Sequence, residues 1–516
     1  MLTIHLSIVV FLPLAAALIA AFLPARVGRW LVVAATVGVL GFAIAMIADY
    51  EPGTAGLKYV TDDNWISELG IRYQLGVDGL NLFLIALTAL LWVPATIWGA
   101  LRSGAGARAV DDRAALLPPD RPRLFMFHMA LAETAVLGAF CTQDLALFVV
   151  FFDVMLVPFY FLVGGWGGGD RVRATTKLLI YTLVGSLLML AGAIALGVLS
   201  AGSGDLSFSF AVLEQRTLGE STQQWIFCLF AAAFLVKAPL FPLHGWVVDA
   251  YRATPVAVLV VLSAVVSKVG VYGFLRIVLP ILPDASAYFQ DLMLALAVIS
   301  ILYGSVLAFS QDEPRLVVAY SSIAQLGFIV LGIFSLTDIG AQGALMQMVS
   351  HGLVVAPLFF IIAALSARAG ETATLEQMGG MALRAPVLAA LFLVVTLATL
   401  AMPGSPNFVG EILILFGAFE DKFAFGAVGI LGVVLAAVYM IRVFQRSMHN
   451  RVGPGAQPSD AGGLELVAIV PLALAVVALG VYPQLVLERT EPTTAKKVAP
   501  ALTAAGVSHP EISVIE

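Results

Sequence analysis

Long apolar runs, most of them near 20 residues, recur along this chain and are separated by short polar stretches. A run of about 20 residues is long enough, as a helix, to cross the hydrocarbon core of a bilayer. The pattern predicts fourteen spans, at about 4–23, 29–48, 79–101, 122–141, 144–164, 174–199, 224–245, 254–279, 286–309, 315–335, 340–367, 386–418, 423–447 and 463–485. Two of them are interrupted. The seventh meets Pro239 and Pro242, whose missing N–H groups force a kink or break. The twelfth is cut by MPGSPNFVG (402–410), with Pro403, Gly404, Pro406 and Gly410. The expected fold is an all-α polytopic membrane protein. Residues 50–77 and 201–223 read as small surface excursions, and the polar tail 486–516 reads as irregular. The first 23 residues lack a basic leader and a clear A-x-A cleavage site, so they read as a span rather than a removed signal.

Composition agrees. Of 516 residues, 60% are hydrophobic and 12% charged, with mean hydropathy +0.99, against roughly 25% charged in soluble domains. The net charge of −6 says little when most charges sit in short loops. Cys141 and Cys228 are far apart and no CxxC occurs, so neither an iron–sulfur cluster nor a disulfide is expected. The GGWGGGD run (164–170) follows a membrane helix rather than a strand, which excludes a dinucleotide fingerprint. No cofactor and no metal site is expected on this chain.

Loop charges test the topology. Arg26, Arg29, Arg102, Arg108, Arg113, Arg121, Arg123, Arg171, Arg173, Lys177, Arg252, Arg315, Arg368, Arg384, Arg442, Arg446 and Arg451 all follow odd-numbered spans, 17 on one side. Lys58, Arg72, Arg216, Arg276, Lys422, Arg489, Lys496 and Lys497 make eight on the other. The bias places both termini outside the cytoplasm. Only Lys237 and Lys268 remain, both inside the membrane. The interrupted spans stand five apart, so spans 4–8 and 9–13 form two five-helix units with the broken helix fourth in each. An odd number of spans turns the second unit upside down, the pattern of an inverted-repeat transporter. The chain then divides into an N-terminal three-helix segment (1–121), two repeats (122–285 and 286–450) and a C-terminal helix with its tail (451–516).

Seven ionisable groups fall inside spans: His128, Glu133, Asp153, Lys237, Lys268, His351 and Glu411, with His244 at the end of a broken one. A central lysine costs at least about 2.5–3.5 kcal/mol on insertion scales, so such residues face a protein interior and have partners. Any one of them could serve packing alone. Acids, lysines and imidazoles on separate helices near breaks point instead to an ion relay. Asp153 stands alone in LFVVFFDVMLVPFYF, and Lys237 is its natural partner. Such a pair can exist charged or neutral at similar energy, as a proton switch requires. His244 and His351 can accept and donate near neutral pH. His128 reads as structural, and Glu133 is open between the two roles. Two histidines could hold haem, but haem leaves both lysines unexplained.

Five stretches carry a resemblance: VKAPLFPLHGW (236–246), SKVGVYGFLR (267–276), AYSSIAQLGF (319–328), VSHGLVVAPLFF (349–360) and MPGSPNFVGEILIL (402–415). Together they resemble the antiporter-like membrane subunits of respiratory complex I and their relatives in multisubunit cation/proton antiporters. The resemblance implies fourteen helices with two inverted five-helix repeats. It also implies a proton path through Asp153, Lys237, His244, Lys268, His351 and Glu411. Glutamate rather than lysine in NFVGE resembles one particular subunit type of the bacterial enzyme. Three positions depart from the pattern: Asp153 replaces glutamate, VVDAY (247–251) replaces LPDAH, and Gln325 stands where a histidine is common. The function implied is a proton-translocating, non-redox subunit of NADH–quinone oxidoreductase, driven by quinone reduction elsewhere. It would sit in the bacterial inner membrane among neighbouring antiporter-like subunits, with no nucleic acid. The alternative is a subunit of a multisubunit sodium/proton antiporter.

Overall fold

The computed structural model describes residues 4–102, 121–202, 204–369, 374–453 and 459–506. Arg108 and Arg113 of the loop-charge argument lie outside these. Among the described residues, 11 helices are long and apolar enough to cross a membrane, and Leu6–Ala21 and Pro386–Thr399 are shorter apolar helices. Burial sorts them. Every residue in the apolar centres of Val256–Ile281 and Asp338–Arg368 is buried, against a third of those in the apolar centres of Phe423–Met448 and Gly463–Val481. The first two form the axis of the bundle, and the others turn apolar side chains outward, as a lipid-facing surface requires.

The breaks have local causes. The helix Glu220–Lys237 ends at Lys237 itself, and helix resumes only at Val247–Ala253. The expected kinked span 224–245 is therefore a helix, a non-helical stretch and a second short helix. The Trp246 indole donates to the Val236 carbonyl at 2.9 Å, and Ser300 Oγ accepts the Phe241 N–H at 3.0 Å. At the second break Pro386–Thr399 stops and Pro406–Asp421 begins. Ser405 caps the new helix and Pro406 takes its first turn, where a missing N–H does no harm. A further break was not expected. The helix carrying Asp153 is interrupted at Met155, where Pro158 can offer no N–H to the Val154 carbonyl. The span Val256–Ile281 also contains two wide turns with i→i+5 bonding, at Leu262–Val266 and Phe274–Val278.

Outside the spans, three readings change. Residues 50–77 are not merely polar loop: Lys58–Ile66 and Ile71–Val77 pair antiparallel, with Asp62 opposite Gln74 and Asn64 opposite Arg72. The tail is not irregular but forms the helix Gln484–Ala504. Its Pro492 leaves the Glu488 carbonyl without a helical donor, and the Gly53 N–H takes that place at 3.1 Å. Arg276, counted among the loop cations, is 1% exposed. It grips Asp78 with two hydrogen bonds of 2.7 Å. A second buried fork joins Arg368 to Glu465 at 2.8 and 2.7 Å, pinning the end of the axial helix Asp338–Arg368.

Exposed ion pairs contribute little, but removing one partner of a buried pair strands a desolvated charge. Arg368→Met should therefore lower stability by about 3–5 kcal/mol. Arg252→Met, at the exposed Arg252–Glu313 pair, should change it by less than about 1 kcal/mol. Thermal unfolding in detergent compares the two.

Candidate functional site

The axial helix Asp338–Arg368 presents Gln347, Ser350 and His351 at positions i, i+3 and i+4, a spacing that puts them on one face. His351 Nδ1 lies 2.9 Å from Lys268 Nζ. That ammonium also donates to the Ser263 carbonyl at 3.1 Å, and Ser267 Oγ donates to the same carbonyl at 2.7 Å. The wide turn at Leu262–Val266 thus leaves one carbonyl open to side-chain donors. Lys268 is 0% exposed, and among the described residues no carboxylate comes within 4 Å of it. The bond to His351 thus joins two titratable nitrogens, an amine and an imidazole, inside the protein.

One turn back on the same helix, Gln347 Nε2 donates to Gln325 Oε1 at 2.7 Å, and Gln325 Nε2 donates to Glu411 Oε1 at 2.9 Å. Ser350 Oγ donates to Gln347 Oε1 at 3.1 Å. Glu411 Oε2 is buried without a protein partner, as are both amide atoms of Asn407. Gln325, where a histidine was missed in the sequence, is the hydrogen-bond donor that orients this carboxylate. Gly410 makes the approach possible: a Cβ there would sit 2.3 Å from Gln347 Oε1.

The other half is looser. Lys237, at the C-terminal end of its helix, places Nζ 4.5 Å from the centre of the Phe152 ring, a cation–π contact. Asp153 is near enough to interact electrostatically with Lys237, and Ser186 also lies beside it. No contact ion pair joins them among the described residues, and Asp153 Oδ1 is buried without a partner. Gly270 brings the Lys268 helix against this region, since a Cβ there would meet the Phe234 carbonyl at 2.7 Å and the Ala238 nitrogen at 3.0 Å. His244 lies within the break, with Nε2 3.2 Å from Tyr303 Oη and Nδ1 unpartnered.

Two expected groups make their contacts elsewhere. Glu133 Oε2 accepts from Thr36 Oγ1 at 3.0 Å. His128 Nδ1 lies 2.7 Å from the Leu124 carbonyl, and its ring packs on Phe161 and Trp166. Sequence reasoning missed Gln347, Ser350, Asn407 and Tyr303. The i, i+3, i+4 grouping of Gln347, Ser350 and His351 in an apolar run was the available signal for the first two.

Two interrupted membrane helices flanking a buried file of lysine, imidazole, amides and carboxylate define an ion-translocating membrane protein. The chain belongs to the NADH:quinone oxidoreductase/Mrp antiporter transmembrane family, whose match runs over residues 142–437. Over nearly its whole length it is similar to proteins named NADH-quinone oxidoreductase subunit M. That of Mycobacterium tuberculosis is 35% identical, covering 99% of this chain and 96% of the relative. That of Rhodobacter capsulatus is 34% identical, covering 96% of each. Among solved structures, a chain of respiratory complex I from Thermus thermophilus aligns with TM-score 0.85 at 29% identity, over 96% of this chain and 99% of that one. A chain of the Mrp complex from Dietzia sp. aligns with TM-score 0.80 at 21% identity, over 98% and 99%. The Mrp likeness speaks for the fold alone.

Overpacking a close contact in a dense core destabilises by about 1–3 kcal/mol. Gly410→Val should therefore destabilise by that amount and separate Glu411 from Gln347. Gly41→Val, where a Cβ meets nothing within 4 Å, should be close to neutral for packing. Thermal unfolding of the two purified variants decides this.

Proposed function

We propose that this chain is a non-redox, proton-translocating subunit of an NADH–quinone oxidoreductase. The observation that carries the reading is the Lys268–His351 hydrogen bond, buried midway along the two helices whose central stretches are enclosed by protein. A titratable contact in that position has a large insertion cost and no evident packing purpose. The fourteen-span count, the division at 121, 285 and 450, and the inversion of the two repeats belong to the same proposal. The pattern of breaks after Lys237 and before Pro406 supports it. The placement of both termini on the non-cytoplasmic side of a bacterial inner membrane belongs to it as well, and the arginine bias supports that placement.

In this reading Asp153 and Lys237 are the first switch. Held apart, with a cation–π contact substituting for a salt bridge, they can close into an ion pair or stand open. Closing draws charge toward Asp153, and opening drives the proton on Lys237 toward Lys268. Lys268 and His351 then pass one proton between two nitrogens. Amides do not titrate, so Gln347 and Gln325 orient Glu411 rather than carry the proton. Transfer to Glu411 runs through water at Oε2, since a buried carboxylate oxygen lacking a protein donor is ordinarily met by ordered water. His244, facing Tyr303 in the break, is the point of access from solvent. Work against the membrane potential is about 2.3 kcal/mol per charge per 100 mV. That work would come from quinone reduction on neighbouring subunits, and the chain itself would hold no redox cofactor and no metal.

Proton uptake into inverted vesicles, at matched NADH oxidation rates and verified assembly, tests this. Lys237→Met, Asp153→Asn and Glu411→Gln should each lower uptake per NADH at least tenfold, and Asp153→Glu should keep most of it. His128→Gln should stay within about twofold of wild type. Normal pumping in Lys237→Met or Glu411→Gln would remove that residue from the path. Sodium-dependent exchange without NADH-linked pumping would favour the antiporter reading.

A further inference from the structure

One buried ionic cluster takes no part in the proton path. Arg276 and Asp78 meet in a planar two-point contact, 2.7 Å at each bond, with side chains 1% and 4% exposed. Each partner is itself fixed. Asp78 Oδ1 accepts the N–H groups of Leu80 and Asn81 at 3.0 and 3.3 Å. Asn81 Nδ2 donates to the carbonyls of Gly76 and Phe140 at 2.9 and 2.8 Å. Arg276 Nε donates to Tyr272 Oη at 2.8 Å, and Tyr272 Oη donates to the Phe140 carbonyl at 3.2 Å. The cluster thus ties one helix to the end of the hairpin, to the start of Leu82–Arg102 and to the end of Pro122–Cys141.

That helix carries Lys268. Tyr272 and Arg276 follow the lysine by four and eight residues, a spacing that keeps all three near one face. Wide turns lie on both sides of Lys268, at Leu262–Val266 and Phe274–Val278. Such turns change helical register locally, and on the opposite side of the span Gly270 and Gly273 let it approach Phe234 closely through apolar contact. A forked guanidinium–carboxylate contact is directional in a way that apolar packing is not.

We propose that the Asp78–Arg276–Tyr272 clamp is a positioning device for Lys268. It sets the rotation and height of Val256–Ile281 so that the lysine meets His351 and the Ser263 carbonyl. The inference rests on the proton-path reading above. Arginine does not titrate in proteins, so the clamp carries no proton and acts only through Lys268. A rotation of about 20° moves a side-chain end about 6 Å from the helix axis by about 2 Å. That is enough to open the 2.9 Å contact to His351 beyond hydrogen-bonding distance.

The test measures proton uptake per NADH oxidised in inverted vesicles holding the whole complex. Arg276→Gln should lower the ratio at least fivefold while NADH oxidation stays within twofold. Arg276→Lys, which keeps the charge but loses the two-point fork, should recover less than half of the lost coupling. Tyr272→Phe removes only a hydroxyl, leaves the fork intact, and should lower the ratio about twofold. A wild-type ratio in Arg276→Gln overturns the proposal, as does full recovery of coupling in Arg276→Lys. If Arg276→Gln does not assemble, Tyr272→Phe decides alone, and a wild-type ratio there also overturns it. Lys268→Met in parallel separates the two layers. Normal pumping by Lys268→Met contradicts the proton-path reading itself, whereas a dead Lys268→Met beside a normal Tyr272→Phe contradicts only the clamp.

Discussion

A charge inside a bilayer must be met by a partner, and this fold is arranged around that demand. Lys268 sits at the centre of a helix with no exposed surface. It is tolerated because a carbonyl, a hydroxyl and an imidazole surround its ammonium. Two forked arginine–carboxylate pairs solve the same problem with fixed charges, each toward the C-terminal end of one axial helix. The difference between the two solutions is chemical. A forked arginine pair holds its charges permanently, whereas lysine with histidine, and glutamate with glutamine, can gain or lose a proton where they stand.

Departures from regular helix recur where these groups lie. The helix of Asp153 is interrupted two residues later, that of Lys237 ends at the lysine, and that of Glu411 starts five residues before it. Lys268 lies between two wide turns. Each irregularity leaves backbone groups to be satisfied by side chains or water. The same irregularity gives a neighbouring side chain a polar environment. At Asp153, Lys237, Lys268 and Glu411 helix irregularity and charge burial are in this way one feature, whereas His351 sits in an unbroken helix.

Much of this was readable from the chain. The long apolar helices and the proline-marked breaks are plain in the sequence, and Asp153, Lys237, Lys268, His351 and Glu411 stand out because charge in an apolar run is expensive. What stayed hidden lacks such contrast. Gln347 and Ser350 are neutral and ordinary in apolar helices until their shared face is noticed. The break at Met155 and the wide turns have only Pro158 as a local mark. Arg276 looks like a flanking cation because it lies near the end of its run, and only Asp78, distant in sequence, reveals it as buried. The tail helix was masked by Pro492 and Pro500, although Val486, Thr490, Thr493, Thr494, Val498 and Ala501 form a buried helical stripe. That Lys237 rests over the ring of Phe152 rather than in contact with Asp153 is a geometry that spacing along the chain does not encode.

The central claim is that one proton moves between Lys268 and His351 during turnover. Infrared difference spectroscopy on the complex, with isotope-labelled histidine and a His351→Asn background for subtraction, reads that site directly. The account predicts an imidazole protonation band that appears with NADH-driven turnover, depends on His351, and vanishes in Lys268→Met. An imidazole signal at His351 that stays constant through turnover, in a complex that pumps normally, would contradict it.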